Sequence, residues 1–240
     1  MMAWFVQGEY KDRDEGTHWS PDIIEIASEH ARLDENAKLL DQELERKWIT
    51  EGRDIASVNF PSYSSKGLPR LSDGWRFPPF DAPLNDQLAY EEDTIVDIVS
   101  SSFGTYAISE KVIDIIECIE PGVHQFIPYR MLNPDGSVHS AMRWLLNICT
   151  RAEVIDAEKS NVAWVASTPR RKFADITAGG RRPHVVAKAD EVAKRAVWCE
   201  WRYHSGTNFI VSDRLWSALQ SGDIRGWAPH YSYPDHIEEI

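Results

Sequence analysis

Tyr106-Ala107-Ile108-Ser109-Glu110-Lys111-Val112 and Phe209-Ile210-Val211-Ser212-Asp213-Arg214-Leu215 follow one formula: aromatic, two apolar residues, Ser, acidic, basic, apolar. The first three residues of each suit a strand. Ser is a preferred N-cap, its oxygen accepting from an N–H of the first helical turn, and an acidic residue next to it suits the positive end of the helix. Each stretch therefore reads as a strand running straight into a capped helix, the first stopped by Pro121-Gly122 and the second by Gly222. Beyond each glycine lies another aromatic-bearing segment, His124 to Tyr129 and Trp227 to Tyr231. The separation of 103 residues is far longer than a solenoid period. The pair predicts an α+β fold, a mixed or antiparallel sheet with helices packed on it.

Around these two anchors the chain supplies further elements. Ala3 to Val6 reads as an opening strand, and Ser20-Pro21-Asp22 as a helix start. Leu33, Ala37, Leu40, Leu44 and Trp48 then recur at helical spacing, one apolar face opposite a charged one. From Asn59 to Asp86, seven Pro and Gly residues break any period, with Trp75, Phe77 and Phe80 among them. This predicts a long irregular N-terminal connection, too aromatic for a solvated linker and so laid against the body. Thr94–Ser100, Gln125–Met131, Trp144–Cys149, Val162–Ala166 and Ala196–Tyr203 suit strands, and Asn133-Pro134-Asp135-Gly136 a turn. Residues 1–90 are expected to be a helical and irregular region packed on an α+β domain at 91–240.

Ten Trp and an apolar fraction of 42% allow a sizeable core. No stretch approaches the length of a membrane span, and the N-terminus lacks the basic start and long apolar run of a signal peptide, so a cytoplasmic protein is expected. Charge is uneven. Residues 1–120 hold 11 Lys/Arg against 25 Asp/Glu, whereas residues 121–240 hold 15 against 13. An acidic half repels phosphate backbones, which argues against nucleic acid, and the same field steers a basic protein into contact. A basic stretch from Thr168 to His184 lacks any phosphate-loop pattern and reads as a solvated loop.

The sequence carries no recognisable active-site pattern. Eight His show no helical ligand spacing, and Cys118, Cys149 and Cys199 form no paired motif, so no metal or cofactor is expected; each Cys reads as a small core residue. Ser109 and Ser212 lie at strand-to-helix turns but lack the nucleophile-elbow glycines, and capping explains both. Cys199 and His204 are five positions apart, which on a strand places them on opposite faces. Glu91-Glu92-Asp93 and Trp75 remain as candidate partner-binding residues, the first as a steering patch and the second as an anchor.

The ordered set Tyr106–Val112, Phe126-Ile127-Pro128-Tyr129, Leu145-Leu146-Asn147-Ile148, Val154-Ile155-Asp156, Phe209–Leu215 and Gly226-Trp227 resembles bacterial immunity protein family eleven, associated with polymorphic toxins. The resemblance covers roughly residues 90–230; the basic stretch looks like an insertion, and the first ninety residues show no match. It implies a cytoplasmic antidote that binds a cognate toxin, with no catalytic residues to carry over. An enzyme with a dispersed, hydrolase-like site and a general interaction module are the competing readings.

Overall fold

A computed structural model describes residues 2–8, 24–50, 71–72, 74–88, 95–156, 158–161, 163–168, 171–175, 184–200, 209–229 and 237–239. In chain order the elements are β1 (Met2–Gly8), α1 (Ile24–Thr50), β2 (Leu84–Gln87), β3 (Ile98–Ser100), β4 (Tyr106–Ile108), α2 (Glu110–Ile119), β5 (Gln125–Leu132), β6 (Arg143–Asn147) and β7 (Arg151–Ala152). There follow β8 (Ala163–Thr168), β9 (Arg171–Asp175), β10 (Val186–Ala187), α3 (Ala189–Val192), β11 (Val197–Glu200), β12 (Phe209–Ser212), α4 (Asp213–Ser221), β13 (Trp227–Pro229) and β14 (Ile237–Glu239). Helices and mixed sheets together make the α+β fold expected from the two anchor stretches.

Period-two alternation decides how the sheets stack. One sheet runs β2-β5-β6-β4-β3; the other runs β10-β14-β1-β12-β11-β7, with β13 also paired to β1. On β4, Tyr106 and Ile108 point to one cluster and Ala107 to another; on β12, Phe209 and Val211 face the same shared cluster while Ile210 turns away. The shared cluster takes the inward residues of both sheets together with Val112 and Ile116 of α2 and Leu215 and Leu219 of α4. Each such side chain contributes about 1.5–3 kcal/mol by leaving water, so the two helices are held chiefly by these four residues. Behind the first sheet, Ala37 and Leu40 of α1 join Leu71, Phe77, Leu84, Ile127 and Met131, with Leu33 and Leu44 packed alongside.

The two anchor stretches are both strand-then-helix, but their serines differ. Ser212 accepts from the Leu215 N–H at 3.3 Å, as a cap should. Ser109 makes no side-chain cap: its hydroxyl donates to Asp97 Oδ1 at 2.8 Å. The Asp97 carboxylate takes the hydroxyl proton in a charge-assisted bond, and the serine oxygen is turned away from the first-turn amides it would otherwise accept from.

Other expectations also need correcting. The Asn59–Asp86 connection is not irregular throughout, because Leu84–Gln87 pairs in parallel with β5. Its proline content hid a four-residue edge strand. The basic stretch is not all loop: Arg171–Asp175 pairs antiparallel with β8, forming a hairpin. Cys118 is exposed on α2 rather than core, and Cys149 and Cys199 are only partly buried. The Ser20-Pro21-Asp22 start, the side chain of Trp48, residues 176–183, His204, His230 and His236 lie outside the described residues.

Candidate partner-binding surface

Trp75 sits in a segment whose backbone is clamped to the body. The Gly74 amide donates to the Ile148 carbonyl at 3.0 Å. The Ser72 amide donates to Asn147 Oδ1 at 2.6 Å, and Asn147 Nδ2 donates to the Trp75 carbonyl at 2.8 Å. The Phe77 amide donates to Gln125 Oε1 at 3.1 Å, and Gln125 Nε2 returns a bond to the Phe77 carbonyl at 3.1 Å. Arg76 closes the clamp, donating to the carbonyls of Gly122, Val123 and His124 at 3.1, 2.9 and 3.1 Å. Those carbonyls follow the α2 C-terminus, where a cation is favoured. The Trp75 ring is half-buried against the cluster behind the first sheet. Its surroundings are those of a cover residue that keeps one side toward solvent.

The titratable groups inside the fold are consumed by structure. Asp86, on β2, accepts from Tyr129 Oη at 2.9 Å and from the amides of Ser102 and Gln87 at 3.0 and 3.1 Å. Burial raises its carboxyl above the usual range, against the pull of those bonds. Burial, with the charge of Asp86, pushes the Tyr129 phenol well up. Glu200 is enclosed and accepts from the Val154 and Ile155 amides at 3.0 and 3.3 Å; desolvation lifts it to about 7.

The histidine–carboxylate pair His124–Glu120 is equally closed. His124 Nδ1 accepts from the Cys149 amide at 3.4 Å, which assigns the proton to Nε2, facing Glu120 Oε2 at 3.3 Å. Glu120 also accepts from the Ala196 amide at 2.6 Å. Burial works to raise this carboxyl, but the hydrogen bonds from His124 and from the Ala196 and Val197 amides outweigh it and leave it low. Burial pushes the Cys149 thiol up to about 11, so little thiolate exists near neutral pH. A dispersed active site would need such groups turned to an open cleft; here they bond backbone amides instead. No cluster of three metal-ligating side chains occurs among the described residues, and no described helix is long and apolar enough to cross a membrane.

Among the described residues four large apolar side chains are exposed: Leu39 and Ile49 on α1, and Val138 and Met142 in the β5–β6 turn, Met142 being 72% exposed. Composition could not single these out, because an exposed apolar residue looks like a core one until the elements are placed. Leu39 lies opposite the buried Ala37–Leu40 face, among the exposed Glu35, Lys38 and Glu43. Glu91, Glu92 and Asp93 lie outside the described residues; they fall in the connection from β2 to β3, the two opposite edges of the first sheet.

Two sheets with two helices in a shared core define an α+β protein. The model of the immunity protein family Imm11 matches residues 25–231. The chain belongs to the Imm11 immunity protein family, as the ordered motifs from Tyr106 to Trp227 had indicated. The match begins well before residue 90 and takes in α1 and β2, which the sequence resemblance had not covered. None of the curated proteins compared with the chain matches it.

Proposed function

We propose that the chain is an antidote: it binds a cognate bacterial toxin in the cytoplasm and neutralises it by direct protein–protein contact rather than by catalysis. The observation that carries this reading is the family match over residues 25–231. The physics of the task is compatible with the chain. Saturating a toxin at low concentration needs a Kd of about a nanomolar, or roughly −12 kcal/mol. An interface of about 1,600 Å² with a few buried anchors reaches that value.

Trp75 is one proposed anchor, held in place by the Arg76 and Gln125 clamps so that little ordering entropy remains to be lost on binding. Glu91, Glu92 and Asp93 are the proposed steering patch, drawing in a basic toxin and acting on the association rate. The excess of 25 acidic over 11 basic residues in the first half supports a basic protein partner over nucleic acid or an anionic membrane.

The test is a tagged pull-down from the native bacterium at physiological salt, followed by co-expression. A stoichiometric partner bearing a toxin domain, whose toxicity disappears when this chain is co-expressed, is the expected result. Protection without a stable complex would sink the contact mechanism, and no partner at all would sink the antidote reading.

A further inference from the structure

The two anchor stretches share more than local sequence. In the first sheet β3 pairs with β4 through Ile98↔Ile108 and Val99↔Ala107; in the second β11 pairs with β12 through Val197↔Val211 and Trp198↔Ile210. Setting Ile108 on Val211 sets Ile98 on Val197, so the two hairpins have one register. The backbone repeats as well: the Ser109 amide donates to the Asp97 carbonyl at 2.8 Å, and the Ser212 amide to the Ala196 carbonyl at 2.9 Å. The buried residues of α2, Val112 and Ile116, fall on those of α4, Leu215 and Leu219.

The strand after each helix completes the match. β4 and β5 are both antiparallel to β6 and lie on either side of it, with α2 joining them. β12 and β13 are both antiparallel to β1 and lie on either side of it, with α4 joining them. Ladder partners make Trp4 the counterpart of Trp144, since Trp4 pairs with Val211 and Trp144 with Ile108. One residue pair further, Val6 takes the place of Leu146, and both lie in the shared core. Leu146 pairs with Phe126 across β5, and Val6 pairs with Pro229 across β13. Phe126 and Pro229 are 103 positions apart, the same offset as Ser109 and Ser212. That offset is reached here through the middle strands, independently of the sequence formula.

The copies also meet as related copies should. In a two-fold arrangement, residues near the axis touch their own counterparts. Tyr106 and Phe209, equivalent by the offset, pack edge to face with ring centroids 5.4 Å apart. α2 packs on α4. The start of β3 bonds the loop after α4, Ile98 N–H to the Arg225 carbonyl at 3.0 Å, and the start of the second hairpin bonds the end of α2, Ala196 N–H to Glu120 Oε2 at 2.6 Å.

We propose that the fold is an internal duplication of one β-β-α-β-β unit about a pseudo-twofold axis at the Tyr106–Phe209 contact, circularly permuted so that β1 supplies the fifth strand of the second copy. In the first copy the fifth strand, β6, follows β5 through the turn at residues 133–142. In the second, β13 and β14 both pair with β1, and Met2 lies opposite Glu238, so β14 and β1 stand as the two arms of the corresponding hairpin. The β5–β6 turn is thus the counterpart of the Glu238–Met2 junction. What the copies do not share, α1 with residues 71–88 on one side and β7, β10 and α3 on the other, covers the two outer faces.

The counterpart relation is tested with a permutant of the full chain, its ends joined by a short Gly-Ser linker and reopened between Asp135 and Gly136. This moves the break from the second copy to the first. A control carries the same linker but is opened at Gly179–Gly180, in the connection between the copies. Cooperative thermal unfolding of the Asp135–Gly136 permutant within about 10 °C of the parent, in the range that a loss of one or two kcal/mol produces, with native far-ultraviolet circular dichroism, is expected. An unfolded Asp135–Gly136 permutant beside a folded control would overturn the equivalence of β6 and β1. Failure of both would overturn the placement of β14 and β1 as one hairpin.

Discussion

Replacing Gly226 by alanine tests the joint at which the two sheets meet. Gly226 has φ +118, and a Cβ built there would lie 1.8 Å from the Ile98 carbonyl oxygen and 2.7 Å from its carbon. Both obstacles are backbone, so no side chain can swing aside. A positive φ costs a residue with a Cβ roughly 1–2 kcal/mol. Relieving the overlap must push β3 from the Arg225–Gly226 turn and break the 3.0 Å bond from the Ile98 amide to the Arg225 carbonyl, a loss of about 1–3 kcal/mol when the amide stays buried. Ile98 and Trp227 on either side are core residues, and forced repacking adds on the order of 1–3 kcal/mol. The sum is about 3–8 kcal/mol, comparable with the whole stability of many domains. Gly136→Ala is the matched control, because Gly136 also has positive φ, +82, but meets nothing within 4 Å; it should cost only the backbone portion, about 1–2 kcal/mol. Urea unfolding followed by tryptophan fluorescence measures both. Equal losses for the two variants would refute the claim that close backbone approach, rather than conformation alone, fixes this junction.

Ser212→Ala should cost about 1 kcal/mol in the same assay because it removes a cap; in Ser109→Ala the helix N-terminus loses no cap, and the lost partner is Asp97. A Ser109→Ala loss that is undiminished in an Asp97→Ala background would contradict that assignment, since there the hydroxyl's bond to the carboxylate is already gone. Glu200 gives a pH signature. Its folded pKa of about 7 lies above the ordinary 4.5, so the folded state binds the proton more tightly than the unfolded one. Stability from this group is fully present below about 4.5 and is lost as pH rises through 7. At about 1.4 kcal/mol per unit the span is on the order of 3 kcal/mol. Glu200→Gln should flatten the slope between pH 5 and 7, and parallel curves for the two proteins would rule the group out. Once a toxin is in hand, Glu91→Lys/Glu92→Lys should slow association and weaken its salt dependence with little change in dissociation; stopped-flow rates indistinguishable from wild type would remove these residues from the steering patch.

How much was legible follows from the range of each signal. Strand-to-helix junctions are local, so Tyr106–Val112 and Phe209–Leu215 showed both helices and the strands before them. The Leu33–Leu44 stripe announced a helix because a 3.6-residue period needs no partner to be visible. β2 went unseen because four residues among prolines carry no period, and its strand character comes from pairing with β5. The role of Ser109 was misjudged for a related reason: a cap is a contest among acceptors, and Asp97, twelve residues away, is not part of the local pattern. Contact candidates were least legible of all. Trp75 could be singled out as an aromatic in a loop, but what holds it, the carbonyls that Arg76 reaches and the Gln125 side chain, comes from the α2–β5 junction, nearly fifty residues distant.

The role of β1 carries this argument furthest. Ala3 to Val6 was readable as a strand, yet nothing in those residues says that they fall between β12 and β13, more than two hundred positions away. Deleting them would expose unpaired edges on both neighbours and empty the place of Val6 in the shared core. A chain lacking residues 1–8 should therefore be poorly folded, and rapidly exchanging amides in β12 by hydrogen exchange are the expected sign. A cooperative, protected β12 in that fragment would show instead that the second sheet closes without β1, and the long-range pairing would then be an addition to a finished fold rather than part of what makes it.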